Sequence, residues 1–141
     1  MIELNGVSKS FPGKKAVQNM QFTVEKGELF VVLGPNGAGK TTTFKMITGL
    51  LHQDEGTIMI GGMDSKEDHL KIKRLMGYIP DEPFLYEKLT GNEFLDFIIE
   101  MFGISLAEAQ KRRDYLSERF EITNFADTLT ENYSHGMKQR L

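Results

Sequence analysis

The apolar, partly β-branched run Leu29-Phe30-Val31-Val32-Leu33 stops at Gly34, and a helix-like pattern starts at Lys40. Between them, Gly34, Gly39, Lys40 and Thr41 fall at the spacing G-x-x-x-x-G-K-[ST], a loop that cradles phosphate. Such a loop needs a buried strand before it and a helix after it, and both patterns are present. The bland alternative is a glycine-rich turn that merely joins strand to helix. The flanking context favours the phosphate reading, so the chain is expected to bind a nucleotide here.

The residue types follow from the chemistry. Backbone N–H groups pointing inward hold a polyphosphate, so side chains must not crowd it, and Gly37 and Gly39 leave that space. A helix starting near Lys40 aims its free N–H groups and positive dipole end at the same charge. Lys40 can reach the β- and γ-phosphates, and the Thr41 hydroxyl can ligate Mg²⁺.

The 141 residues suffice for a compact domain with a core. The formal net charge is −3 with both signs interspersed, which argues against a nucleic-acid surface. No cysteine is present, excluding disulfides and thiolate metal sites and suiting a reducing cytoplasm. No apolar run approaches the roughly 18 residues that span a bilayer, and Met1 to Gly6 lacks the order of a signal peptide. A membrane role would therefore come through a partner.

Along the chain, Ile2, Leu4 and Val7 alternate as in a half-buried strand, Ser8 to Lys15 reads as a polar loop, and Met20 to Val24 alternates again. Glu25-Lys26-Gly27-Glu28 reads as a turn. Phe44, Ile47, Leu50 and Leu51 share a helical face ending near Gly49. Thr57 to Ile60 is a strand closing at Gly61-Gly62, Lys66 to Lys73 a short helix, and Leu75 to Ile79 a second buried strand that Pro80 ends. Thr90 with Glu93, and Ser105 with Glu108, have capping-box spacing, and Gly103 fits a helix C-terminus. Residues 84–130 are expected to form a mostly helical insert. The fold class is α/β with a small antiparallel β subdomain.

The phosphate loop alone does not choose among nucleotide-binding families. Tyr133-Ser134-His135-Gly136-Met137-Lys138-Gln139-Arg140-Leu141 resembles the signature sequence of ABC-type ATP-binding cassettes, whose usual core is Leu-Ser-Gly-Gly-Gln followed by a basic residue, Gln and Arg. Gly34 to Thr43 resembles the family's own phosphate loop, Met76 to Pro80 the strand entering its Q-loop, and Leu89 to Glu93 the start of its helical subdomain. The resemblance runs from Ile2 to Leu141. It implies a P-loop NTPase (RecA-like) core with an antiparallel β subdomain and a helical subdomain, over residues 1–141.

By that resemblance, Gly34, Pro35, Asn36, Gly37, Ala38, Gly39, Lys40, Thr41 and Thr42 would hold ATP, and Phe11 would stack on adenine, the alternative being a hydrophobic loop anchor. Two cassettes pair head to tail in the family, so Ser134 and Gly136 would face the ATP of a second cassette, in a homodimer or heterodimer. The alternative for Ser134 is an ordinary helix cap. The implied role is the ATP-binding subunit of a transporter, peripheral on the cytoplasmic face of the membrane, coupling hydrolysis to transport through a separate transmembrane permease. Phe84, Leu85 and Tyr86 are candidate contacts for that permease, or else buried core.

Three departures qualify this. Asp81 stands at the Q-loop glutamine position: it is either a Mg²⁺ ligand beside Thr41 or an acidic turn residue. His135 and Met137 replace the signature's first glycine and its glutamine, and His135 reads as a tolerated exposed side chain. The acidic pair and the switch histidine of the family lie beyond its signature, so no catalytic residue is assigned in this chain and hydrolysis by it alone is not expected. The chain is expected to be a fragment or frameshifted product lacking the C-terminal part of the core, with the Leu29–Leu33 run exposed. The alternatives are a soluble ABC-type ATPase acting on ribosomes or DNA repair, or a non-ABC P-loop kinase or GTPase.

Overall fold

In a computed structural model, which describes residues 1–141, the chain is α/β and divides into two compact units, Met1–Tyr78 and Ile79–Leu141. The first is built on a four-stranded antiparallel sheet, ordered β2-β1-β3-β4, from β1 (Ile2–Phe11), β2 (Lys14–Val24), β3 (Glu55–Ile60) and β4 (Met63–Asp64). It also carries α1 (Lys40–Ile47) and α2 (His69–Lys73).

Leu4 and Val7 are both fully buried although three positions apart. A register shift between them, at Gly6, inserts the residue that turns Val7 back to the inner face. With Val17, Met46, Ile47, Ile58, Ile60 and Ile72 they form the core of this unit. The expected polar loop from Ser8 to Lys15 is instead the tip of a hairpin. β1 runs on to Phe11, pairs with Lys14, and only Pro12 and Gly13 turn the corner. Polar residues misled the reading because this stretch is exposed on both sides, so alternation carries no signal.

The two runs expected to be buried strands are not strands. Leu29–Leu33 and Leu75–Ile79 lack ladder partners, with Leu29 91% and Ile79 79% exposed. A strand exists only through its neighbours, and none of the four strands of this sheet lies alongside these runs. The exposure expected for the first run is therefore observed, and it extends to the second. Phe30 is in stacked contact with Phe22, with 4.9 Å between ring centres.

The second unit contains α3 (Gly91–Phe102), α4 (Leu106–Arg119), a 3₁₀ turn (Thr130–Asn132) and α5 (His135–Arg140) around Ile122, Phe125, Ala126 and Tyr133. Helix α3 begins with the expected capping box. The Thr90 hydroxyl accepts from the Glu93 amide at 3.2 Å, and the Glu93 carboxylate accepts from the Thr90 amide at 2.7 Å. It ends at Gly103 in the left-handed region. At α4 the Ser105 hydroxyl accepts from the Glu108 amide, but Glu108 returns to the Ser105 hydroxyl rather than its amide.

Candidate nucleotide-binding site

Gly34 to Gly39 leads into α1 as the spacing predicts. Gly37 and Gly39 take positive φ, 82° and 88°. Gly39 is fixed by close approach as well: a Cβ there would lie 2.4 Å from the Ala16 carbonyl oxygen and 3.0 Å from a Val17 methyl. The loop is thus seated directly on β2.

The first amides of α1 remain open. Ala38 donates to the Pro35 carbonyl at 3.2 Å, and Thr43 is the first helix amide to donate back, to Gly39 at 2.8 Å. The amides of Lys40, Thr41 and Thr42 meet no backbone acceptor, and no side chain caps this helix. The Lys40 ammonium donates to the carbonyls of Gly34 and Pro35, at 2.6 and 2.8 Å. A cation, uncapped amides and left-handed glycines are therefore gathered in one short segment, a donor set that suits a polyphosphate anion.

Thr41 is exposed and its hydroxyl is in no hydrogen bond, whereas the Thr43 hydroxyl is buried and spent on the Gly39 carbonyl at 2.9 Å. Thr41 thus fits one position of a Mg²⁺ shell completed by phosphates and water. No group of three His, Asp or Glu side chains gathers anywhere in the chain to hold a metal by itself. Asp81 belongs to the second unit, exposed in a bend and unbonded. Both of its readings stand.

Phe11 ends β1 with 44% of its surface exposed. The Lys9 ammonium lies 5.9 Å from its ring centre and pairs with Asp54 at 2.6 Å. Asp54 also accepts from the Ser10 amide at 2.8 Å. The Lys9 bond, then that amide, hold the Asp54 carboxyl below the usual aspartate range. Sequence reasoning missed Asp54, which lies far from Lys9 and Ser10 along the chain and meets them where β1 runs beside the start of β3.

In the second unit, Ser134 caps α5, accepting from the Met137 amide at 3.3 Å. That cap leaves its hydroxyl proton free to donate. His135 and Gly136 are exposed, and a Cβ on Gly136 would meet nothing within 4 Å. The residue that sets this segment is Tyr133. Its hydroxyl donates to the Phe125 carbonyl at 2.8 Å, and its ring meets Phe125 edge-on. Burial pushes its phenol up, with the neighbouring Gly91 amide partly opposing. A Cβ on Gly91 would lie 2.3 Å from that hydroxyl oxygen. Gly91, read from sequence only as part of a helix start, is therefore the space into which Tyr133 fits. Phe84 and Tyr86 are exposed and in edge-on contact, whereas Leu85 packs on the core of the unit.

A sequence model of the ABC transporter family matches residues 17–141. The linearmycin resistance ATP-binding protein LnrL of Bacillus subtilis (strain 168) is 39% identical over 141 residues, covering 100% of this chain and 45% of its own length. The solved ATP-binding subunit of an ABC transporter superposes with a TM-score of 0.87 at 33% identity, over 99% of this chain and 58% of that one. The bacterial ABC transporter cassette MJ0796, solved as a dimer, gives a TM-score of 0.85 at 25% identity, over 99% and 66%. The chain spans about half the length of the curated relatives it matches.

Proposed function

The chain belongs to the ABC transporter family, and from that premise we propose that residues 1–141 bind ATP as part of the ATP-binding subunit of a transporter. The observation that carries this reading is the segment from Gly34 to Thr42, with uncapped amides and the Lys40 ammonium gathered in it. Gly34, Pro35, Asn36, Gly37, Ala38, Gly39, Lys40, Thr41 and Thr42 hold the phosphates, Phe11 stacks on the base, and Thr41 ligates Mg²⁺. Asp81 is the second metal candidate.

Ser134 and Gly136 face the nucleotide of a second cassette. Two features support this: a serine with a proton left to donate, and a glycine that nothing in its own chain requires. Exposed Phe84 and Tyr86 are the proposed contact with a membrane permease. The proposed attachment is peripheral, on the cytoplasmic side, and no helix here is long and apolar enough to cross a membrane.

Binding, rather than turnover, is the activity proposed for these 141 residues. The test is a titration of the chain with a fluorescent ATP analogue, competed by ATP and by GTP, alongside phosphate release. Saturable binding that Lys40→Ala removes, with no release above background, is expected. A preference for GTP would overturn the reading in favour of a different P-loop class.

A further inference from the structure

We propose that Lys14 is a second phosphate-binding cation, contacting the phosphates of the bound nucleoside polyphosphate from outside the loop that carries Lys40. This rests on the nucleotide-binding reading of the loop and adds to it a residue outside the loop. Lys14 lies next to the Pro12-Gly13 turn, directly across the ladder from Phe11. Paired residues of an antiparallel ladder project from the same face, so Phe11 and Lys14 share one side of the hairpin tip. A Cβ placed on Gly37 would lie 3.5 Å from the Lys14 ammonium nitrogen. That nitrogen therefore stands beside Gly37 of the phosphate loop.

Two contrasts make this more than a surface lysine. Lys9, on the same hairpin, is committed to Asp54, whereas Lys14 takes part in no ion pair and no side-chain hydrogen bond of its own. The spacing between hairpin and loop is also set by backbone packing, because Gly39 is pressed against Ala16 and Val17 of β2. Lys14 is only two residues from Ala16, so that seat keeps its backbone within a lysine's reach of Gly37. A nucleotide with its base on Phe11 and its phosphates in the loop would bring those phosphates near this ammonium. Lys40 is tied from within the loop, through Gly34 and Pro35. The two cations would grip the anion from separate elements.

The experiment is an equilibrium titration of the 141-residue chain with ATP, ADP and AMP, at low and moderate salt. Lys14→Gln should weaken ATP binding roughly fivefold, the effect of one ammonium about 4 Å from a phosphate charge in water. Lys14→Glu should weaken it more, and Lys14→Arg should restore it. The loss should shrink for AMP and shrink with salt. Lys15→Gln removes the same charge one residue away and should leave ATP affinity unchanged. Equal affinities for Lys14→Glu and the unsubstituted chain, or an equal loss from Lys15→Gln, would overturn the assignment while leaving the loop's role intact. An unsubstituted chain that binds no nucleotide would overturn both together.

Discussion

The N-termini of α1 and α3 are built from the same backbone groups and treated in opposite ways. At α3, Thr90 and Glu93 satisfy each other's amides, and the helix start is complete in itself. At α1, no side chain caps the helix, a left-handed glycine replaces the usual cap residue, and three amides stay open. A capping side chain contributes about 1 kcal/mol to a helix start, and α1 forgoes it. The difference separates a helix start that serves folding from one that serves a ligand. The positive end of α1 is left for an anion.

The strongest way to break this contrast is at Lys40. Lys40→Ala should nearly abolish ATP binding while Phe11→Ala only weakens it. Micromolar binding needs about 8 kcal/mol, and stacking supplies roughly 1–3 of it, so phosphate contacts must dominate. Equal losses in a calorimetric titration would mean that the loop is not the principal grip.

Next in size is Gly39→Ala, which forces a Cβ to 2.4 Å of the Ala16 carbonyl at a positive φ. A loss of about 3 kcal/mol or more in chemical denaturation is expected. A variant that melts like the unsubstituted chain would show that the loop is not seated on β2. Thr90→Ala should cost about 1 kcal/mol, read from the thermal melt, and leave ATP affinity untouched. If it changed affinity instead, the two helix starts would not be doing different jobs.

The smallest effect is in pH. The Thr90 amide, and then its hydroxyl, hold the Glu93 carboxyl below the usual glutamate range. A carboxylate depressed by folding contributes stability that is present above its unfolded value and lost as pH falls through the lowered one. Acid titration should therefore erode the capping-box contribution only below the ordinary glutamate range. Glu93→Gln should flatten that part of the profile.

Much of this was legible from residue types, because local rules decide local structure. Thr90, Glu93, Ser105 and Gly103 sit where capping chemistry puts them, and Gly34 to Thr42 adopts the loop its spacing implies. Reading failed where a residue's state depends on something remote in sequence. Leu29 to Leu33 has the composition of a buried strand, but composition cannot supply the neighbours that make one. The spacing places Phe44 and Leu50 on one helical face with Ile47 and Leu51, yet Phe44 and Leu50 are exposed, and Thr43 and Met46 are buried with Ile47 instead. The hairpin tip at Phe11 and Lys14 was hidden for the converse reason: pairing, rather than apolarity, makes it a strand.

The fit of Tyr133 over Gly91 has a consequence for how the two positions can change. A side chain at 91 and a hydroxyl at 133 compete for one volume, so the choices there are not independent. In a library randomised at both, survivors with alanine at 91 should carry phenylalanine at 133, and survivors with tyrosine at 133 should carry glycine at 91. The start of α3 and the start of the Ser134 segment would then drift together through sequence space, coupled by a single oxygen atom.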